Sequence, residues 1–133
     1  MNDKVSVAVV GGGIGGIAAV TMLKRAGYHN VTVFERSAGL GGVWYANIYP
    51  GAACDVPSHF YEYSFALNPD WSRRYAPQAE IKAYLERVVR DHGVEGSFRF
   101  NTQRSGHRRR ALRPWCRAPT DRVRSRSPTG RWC

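Results

Sequence analysis

The feature that most constrains this chain is a run of six residues near its start, Gly11-Gly12-Gly13-Ile14-Gly15-Gly16, placed directly after the valine-rich stretch Lys4–Val10. Four valines within seven residues, ending at a glycine cluster, read as a buried parallel strand. From Ile14 onward Ile17, Ala18, Leu23 and Ala26 recur at helical spacing, and Gly27 supplies the C-terminal stop. Val31–Glu35 reads as a second short strand. A strand, a glycine turn, a helix and a strand in this order predict a right-handed crossover and hence a parallel α/β sheet.

Gly11, Gly13 and Gly16 satisfy GxGxxG, and each glycine has a physical task. The first permits the tight turn out of the strand. The second leaves room for a pyrophosphate, and the third lets helix and strand approach closely. The helix start, with Ile14 and Gly15 between these glycines, offers unpaired N–H groups and a partial positive charge to phosphates. Glu35, at the end of the second strand, is placed to accept hydrogen bonds from an adenosine ribose. A carboxylate there favours a free 2′-hydroxyl, as in FAD or NAD, over a 2′-phosphate. The expected fold class is α/β, a partial Rossmann-like FAD/NAD(P)-binding domain comprising a βαβ unit, a loop region and a helix.

Residues 37–75 carry many glycines, prolines and aromatics without a long period, which predicts an extended, ordered loop region. Pro77 opens an amphipathic helix whose inner face is Ile81, Tyr84, Leu85, Val88 and Val89, and Gly93 ends it. Phe98–Asn101 is a further candidate strand.

The formal charge of +10 is unevenly spread. Residues 1–102 hold ten basic and nine acidic side chains, whereas residues 103–133 hold ten arginines against Asp121 alone. The expected organisation is a partial dinucleotide-binding domain over 1–102 and an Arg-rich disordered tail over 103–133 with too little to bury. Arginine without lysine, mixed with Pro, Ser, Gly, Trp and Cys, is also what a GC-rich gene read in a shifted frame yields. A frameshift or truncation near Thr102 is therefore the expectation for this segment. A nucleic-acid-binding arm is the secondary reading, because aromatic residues do not interleave with the arginines and no known module is present.

No apolar run approaches the length of a membrane span, and no signal-peptide core precedes the first strand, so a cytoplasmic protein without membrane contact is expected. Cys54, Cys116 and Cys133 form no CxxC pair, and His29, His59, His92 and His107 show no ligand spacing relative to them, so no metal site is expected.

The segment Glu35-Arg36-Ser37-Ala38-Gly39-Leu40-Gly41-Gly42-Val43-Trp44 brings a second glycine pair soon after the ribose carboxylate. Together with Trp44-Tyr45, Tyr49-Pro50-Gly51-Ala52-Ala53-Cys54-Asp55-Val56-Pro57-Ser58, Tyr61, Asn68-Pro69-Asp70-Trp71 and Tyr75-Ala76-Pro77-Gln78, it resembles the class B flavoprotein monooxygenases, the Baeyer–Villiger and flavin-containing monooxygenases. The resemblance covers about residues 5–102. It implies that the first dinucleotide fold binds FAD, with Gly11, Gly13, Ile14, Gly15, Gly16, Glu35, Arg36 and Gly42 on the cofactor. It implies further that Val43, Trp44, Tyr45 and Ala46 line the flavin pocket, that Asp55 contacts the flavin near the nicotinamide side, and that Tyr61 lies against FAD. Baeyer–Villiger members often carry arginine where this chain has Ala53.

The implied activity is NADPH-dependent oxygen insertion through a C4a-(hydro)peroxyflavin, into a ketone or at nitrogen or sulfur of a small organic substrate. The sequence holds no second GxGxxG turn for NADPH and no FxGxxxHxxxW linker, so the fragment is expected to be inactive alone. Read without the resemblance, Trp44, Tyr45 and Tyr61 are more readily core aromatics than cofactor-lining residues. Asp55 is then a turn residue before Pro57, Cys54 a small buried residue, and His59 and His92 ordinary surface or helix-end residues. Alternatives in function are another flavin oxidoreductase with the same front end, or a non-catalytic FAD or adenine-nucleotide binder.

Overall fold

A computed structural model describes residues 5–104 and 116–117. The elements are β1 (Val7–Val10), α1 (Ile14–Arg25), β2 (Val31–Phe34), α2 (Val43–Ala46), α3 (Gln78–Asp91), β3 (Phe98–Arg99), β4 (Gln103–Arg104) and β5 (Cys116–Arg117). Two short 3-10 turns lie at Ser58–Phe60 and Glu95–Ser97. β2 is central: it pairs in parallel with β1, Val7 opposite Val31 and Val10 opposite Phe34, and with β3, Val33 opposite Phe98. The strand order β1-β2-β3 leaves β1 at an edge of this sheet, with Val10 63% exposed.

The two long helices, α1 and α3, are closed by the same device. Gly27 N–H donates to Lys24 O and Tyr28 N–H to Leu23 O after α1; Gly93 N–H donates to Arg90 O and Val94 N–H to Val89 O after α3. This Schellman pairing satisfies carbonyls that a helix end would otherwise leave bare. The core joins Ile17 and Val20 of α1, Val31 and Val33 of β2, the five inward residues of α3 and Phe98. The stripe Ile81, Tyr84, Leu85, Val88 and Val89 is buried throughout, as its spacing requires.

The long segment between β2 and α3 is ordered by hydrogen bonds of its own. Ala53 bridges Pro77, Cys54 N–H donates to Ala76 O, and Gln78 N–H donates to Ala52 O. The buried Ser58 hydroxyl accepts from Ala76 N–H at 2.9 Å and donates to Arg74 O at 3.0 Å. Tyr84 Oη, at the middle of α3, accepts from Tyr63 N–H at 2.7 Å and donates to Ala66 O at 2.9 Å. Cys54 is buried, as its small size and apolar setting lead one to expect.

The observed elements differ from the sequence expectations at their ends. β1 starts at Val7 rather than Lys4, β2 ends at Phe34 rather than Glu35, and β3 ends at Arg99 rather than Asn101. The last correction has a local cause: Asn101 adopts φ 53°, a left-handed turn that leaves the extended path. Where disorder is expected after Thr102, Gln103–Arg104 pairs antiparallel with Cys116–Arg117. So short a ladder needs only backbone groups, which composition does not reveal. The remainder of the expected disordered tail lies outside the described residues. No described helix is long and apolar enough to cross a membrane.

Candidate dinucleotide site

Gly11–Gly16 forms the junction between β1 and α1 at the C-terminal end of the strands. Gly11 N–H still belongs to the sheet, donating to Phe34 O at 2.8 Å. The chain then turns, and Ile17 N–H closes the first helical ring on Gly13 O at 3.0 Å. Gly13 caps α1 without a side-chain hydrogen bond, and the first turn contains no acidic residue. The amides of Ile14, Gly15 and Gly16 are thus first-turn donors that the cap does not satisfy, backed by the dipole of a 12-residue helix.

Close packing explains the glycines. A Cβ at Gly16 would lie 1.8 Å from Gly11 O, so no other residue fits there. A Cβ at Gly42 would lie 3.0 Å from Gly13 Cα, and Gly41 N–H donates to Gly12 O at 2.9 Å. The second glycine pair therefore packs directly on the first turn. At Gly11 and Gly15, by contrast, a Cβ would meet nothing within 4 Å. One side of the turn is welded to the protein and the other is open.

Glu35 follows β2 and is 5% exposed. Its backbone is tied on both sides, Glu35 N–H to Arg99 O and Thr102 N–H to Glu35 O, both at 2.9 Å. Its carboxylate accepts from Gly12 N–H at 2.6 Å and from Ser37 N–H at 2.7 Å. Burial pushes the carboxyl pKa up, but the backbone donors of Ser37 and Gly12, the Ser37 hydroxyl and the Arg36 charge outweigh it and hold the group below its ordinary value. The site therefore contains a fixed anion at neutral pH. Arg36 itself is exposed.

Beyond the glycine pair, Val43, Trp44, Tyr45 and Ala46 make the single turn of α2. Trp44 Nε1–H donates to Tyr61 Oη at 3.2 Å, with the rings edge to face at 5.7 Å, and Gln78 Nε2 donates to Trp44 O. Trp44 and Tyr61 also pack on the core, so one pair of side chains belongs to both the core and the site wall. Tyr45 lies over Gly39, where a Cβ would come within 2.4 Å of its ring. Val43 is 59% exposed, and Asp55 stands exposed on the following loop. The structure thus brings Gly11–Gly16, Glu35 and Gly42 together and connects Trp44 to Tyr61, while Asp55 has no comparable tie to the glycine turn. Sequence reasoning missed Gly12, Ser37, Gly39 and Gln78. The glycines were visible as a dense cluster, but the two amide donors to Glu35 and the reach of Gln78 carry no signal in a linear pattern.

The geometry agrees with comparison to known proteins. The family of NAD(P)-binding Rossmann-like domains matches residues 9–78. The chain belongs to this family. Among relatives of this Rossmann-like chain is a Baeyer-Villiger monooxygenase of Streptomyces coelicolor, 46% identical over 103 residues, 77% of this chain and 20% of that protein. Among solved structures, an oxidized steroid monooxygenase bound to NADP is 44% identical with a TM-score of 0.70, covering 75% of this chain and 20% of that one. The complex of OTEMO with FAD and NADP is 33% identical with a TM-score of 0.70, covering 79% and 20%. The Rossmann-like chain therefore spans about a fifth of the length of the relatives it matches. The relation to class B flavoprotein monooxygenases that the motifs from Glu35 to Gln78 implied holds.

Proposed function

We propose that this chain binds FAD at the β1–α1 turn and is the FAD-binding part of an NADPH-dependent flavin monooxygenase of the Baeyer–Villiger kind. The observation that carries the proposal is the buried Glu35 carboxylate, fixed by Gly12 and Ser37 amides beside an open helix N-terminus. Each carboxylate oxygen has accepted one of those amides and retains capacity for a second donor, which the vicinal hydroxyls of a ribose provide. A 2′-phosphate would meet a buried anion, so FAD fits this turn and NADPH does not. FAD and NADPH as the pair of cofactors accord with the relatives, one of which is solved with FAD and NADP.

In this reading Gly11, Gly13, Ile14, Gly15 and Gly16 hold the pyrophosphate through backbone amides. Glu35 holds the ribose, and the Ser37 and Gly12 amides, with the Ser37 hydroxyl and the Arg36 charge, keep that carboxylate ionised. Gly42, lacking a Cβ, lets α2 lie against the turn, so that Val43, Trp44, Tyr45 and Ala46 face the cofactor beyond it. Tyr61 fixes the Trp44 indole, and Asp55 stands on the flavin side. When bound, FAD supplies the electron transfer and oxygen chemistry that side chains cannot. A small organic substrate, O2 and NADPH are the partners of the whole enzyme. Residues 1–102 form the FAD-binding unit.

Titration of the purified chain with FAD, followed by flavin fluorescence, tests this. Saturable binding is expected, with NADP+ a poor competitor. Hydrogen bonds to a charged group are worth about 1.5–3 kcal/mol, so Glu35→Ala should weaken binding roughly 10- to 100-fold. A chain that takes up neither FAD nor ADP, or a Glu35→Ala variant that binds as well as the parent, overturns the proposal.

A further inference from the structure

The carbonyl side of the glycine turn is held by a side chain that the dinucleotide reading leaves unused. Tyr63, 8% exposed, donates its Oη–H to Ile14 O at 2.7 Å, across 49 positions of sequence. Ile14 opens α1, and inside a helix its carbonyl accepts the amide four residues on, so Tyr63 takes the second lone pair. The phenol is itself fixed. Its ring stacks on Phe65 at 4.8 Å and on Tyr84 at 5.9 Å, and its own N–H donates to Tyr84 Oη at 2.7 Å. Burial, with the neighbouring Tyr84 and Tyr61 phenols, pushes its pKa above the ordinary value, so it remains an O–H donor over the whole neutral range.

Ile14 C=O and Gly15 N–H are the two ends of one peptide unit. A donor on the oxygen polarises that unit and makes its N–H a stronger donor, as along any chain of hydrogen bonds. Gly15 is exposed in the first turn of α1, with an amide that the Gly13 cap leaves unsatisfied. We propose that Tyr63 is a positioning residue of the phosphate-binding turn: through the Ile14–Gly15 peptide it aims and strengthens the Gly15 N–H toward a diphosphate. This rests on the reading that the turn holds the FAD pyrophosphate. Tyr84 supplies the contrast. Its hydroxyl bonds Tyr63 N–H and Ala66 O, both outside the turn, so it serves the shape of the loop and not the donor strength of α1.

The test uses the full chain, labelled with 15N, and two probes, ADP and adenosine, which differ only in the diphosphate. In the parent ADP should bind more tightly than adenosine; equal affinities would remove the phosphate site and this inference with it. Tyr63→Phe keeps the ring and removes the donor. It should weaken ADP roughly two- to fivefold, the strengthening of about 10–30% per bond in such a chain applied to a charged hydrogen bond, and leave adenosine unchanged. Without ligand, the Gly15 amide nitrogen should move upfield. Tyr84→Phe should do neither. If the parent prefers ADP but Tyr63→Phe binds it equally well, the inference is overturned and the FAD reading stands. An equal loss of both probes in Tyr63→Phe, the same ADP loss in Tyr84→Phe, or an unmoved Gly15 resonance would overturn it too, leaving Tyr63 a structural anchor only. Should Tyr63→Phe not fold, meta-fluorotyrosine at position 63 decides. Ring fluorine makes the phenol a stronger donor of nearly the same shape, so ADP should tighten with adenosine unchanged, and an unaltered ADP affinity overturns the inference.

Discussion

Two adjacent glycines of the same helical turn should respond oppositely to alanine. A Cβ at Gly16 would come within 1.8 Å of Gly11 O and 3.0 Å of Gly11 C, so α1 must retreat from β1 by more than an ångström. That retreat also pulls Ile17 and Val20, both fully buried, off β2. Overpacking of a well-filled interior costs about 1–3 kcal/mol, and with backbone on both sides the upper end applies. For a domain of about 100 residues, about 3 kcal/mol is a loss of roughly 12–24 °C in Tm. At Gly15 a Cβ meets nothing within 4 Å, and the residue is helical, so Gly15→Ala should stabilise by about 0.5 kcal/mol, or roughly 2–4 °C. Thermal melts by circular dichroism, checked by urea midpoints at constant m-value, separate these outcomes. A Gly16→Ala variant within about 1 kcal/mol of the parent would refute the close-approach argument. Equal losses at both positions would show instead that the turn dislikes any side chain.

Other residues give sharper local tests. Glu35→Gln replaces one acceptor oxygen by a donor facing an amide, and should cost about 1.5–3 kcal/mol at pH 7 in urea unfolding. Because the folded-state pKa of Glu35 lies below its ordinary 4.5, its contribution is present above that value and is lost as pH falls through the folded value. The parent should therefore lose this increment in acid while Glu35→Gln does not; parallel pH profiles for the two would contradict the assignment. Tyr84→Phe strands the Tyr63 N–H and the Ala66 carbonyl, so a loss of about 1–3 kcal/mol is expected by thermal melting, with FAD binding unaltered. Ser58→Ala leaves the buried Ala76 N–H unpaired and should cost a similar amount, on the order of 1–3 kcal/mol; a change under about 0.5 kcal/mol would show that the loop rearranges to satisfy it.

How much of this was legible depended on whether the determinant was local. The βαβ unit could be read because valine runs, the glycine turn and Gly27 act on their own neighbours. The inward face of α3 could be read from its period. Glu35 could be placed beside the turn, since β2 ends where β1 does. Its second amide partner, Ser37, could not, because that bond follows from how the chain leaves the strand. The shape of residues 37–75 was hidden for the same reason. It is set by Tyr84, Ser58 and Gln78 reaching across 15 or more positions to backbone groups, and such reach leaves no periodic trace. Asn101 shows the limit at single-residue scale: an apolar-polar alternation read as strand was ended by one left-handed residue.

The same carboxylate joins stability to ligand binding. Burying Glu35 costs desolvation, which the amides of Gly12 and Ser37 offset by drawing the glycine turn onto β2. A ribose that adds donors to this anion tightens the turn it rests on. Ligand at about 100 times Kd should then stabilise the folded chain by about 2.7 kcal/mol. Glu35→Gln removes both effects at once, so its Tm should respond to FAD far less than the parent's. Gly15→Ala, altering stability without touching the carboxylate, should raise the Tm yet keep a shift with FAD. If instead the shift disappeared in Gly15→Ala and survived in Glu35→Gln, the ligand would be held by the helix terminus alone, and the ribose contact would have to be given up.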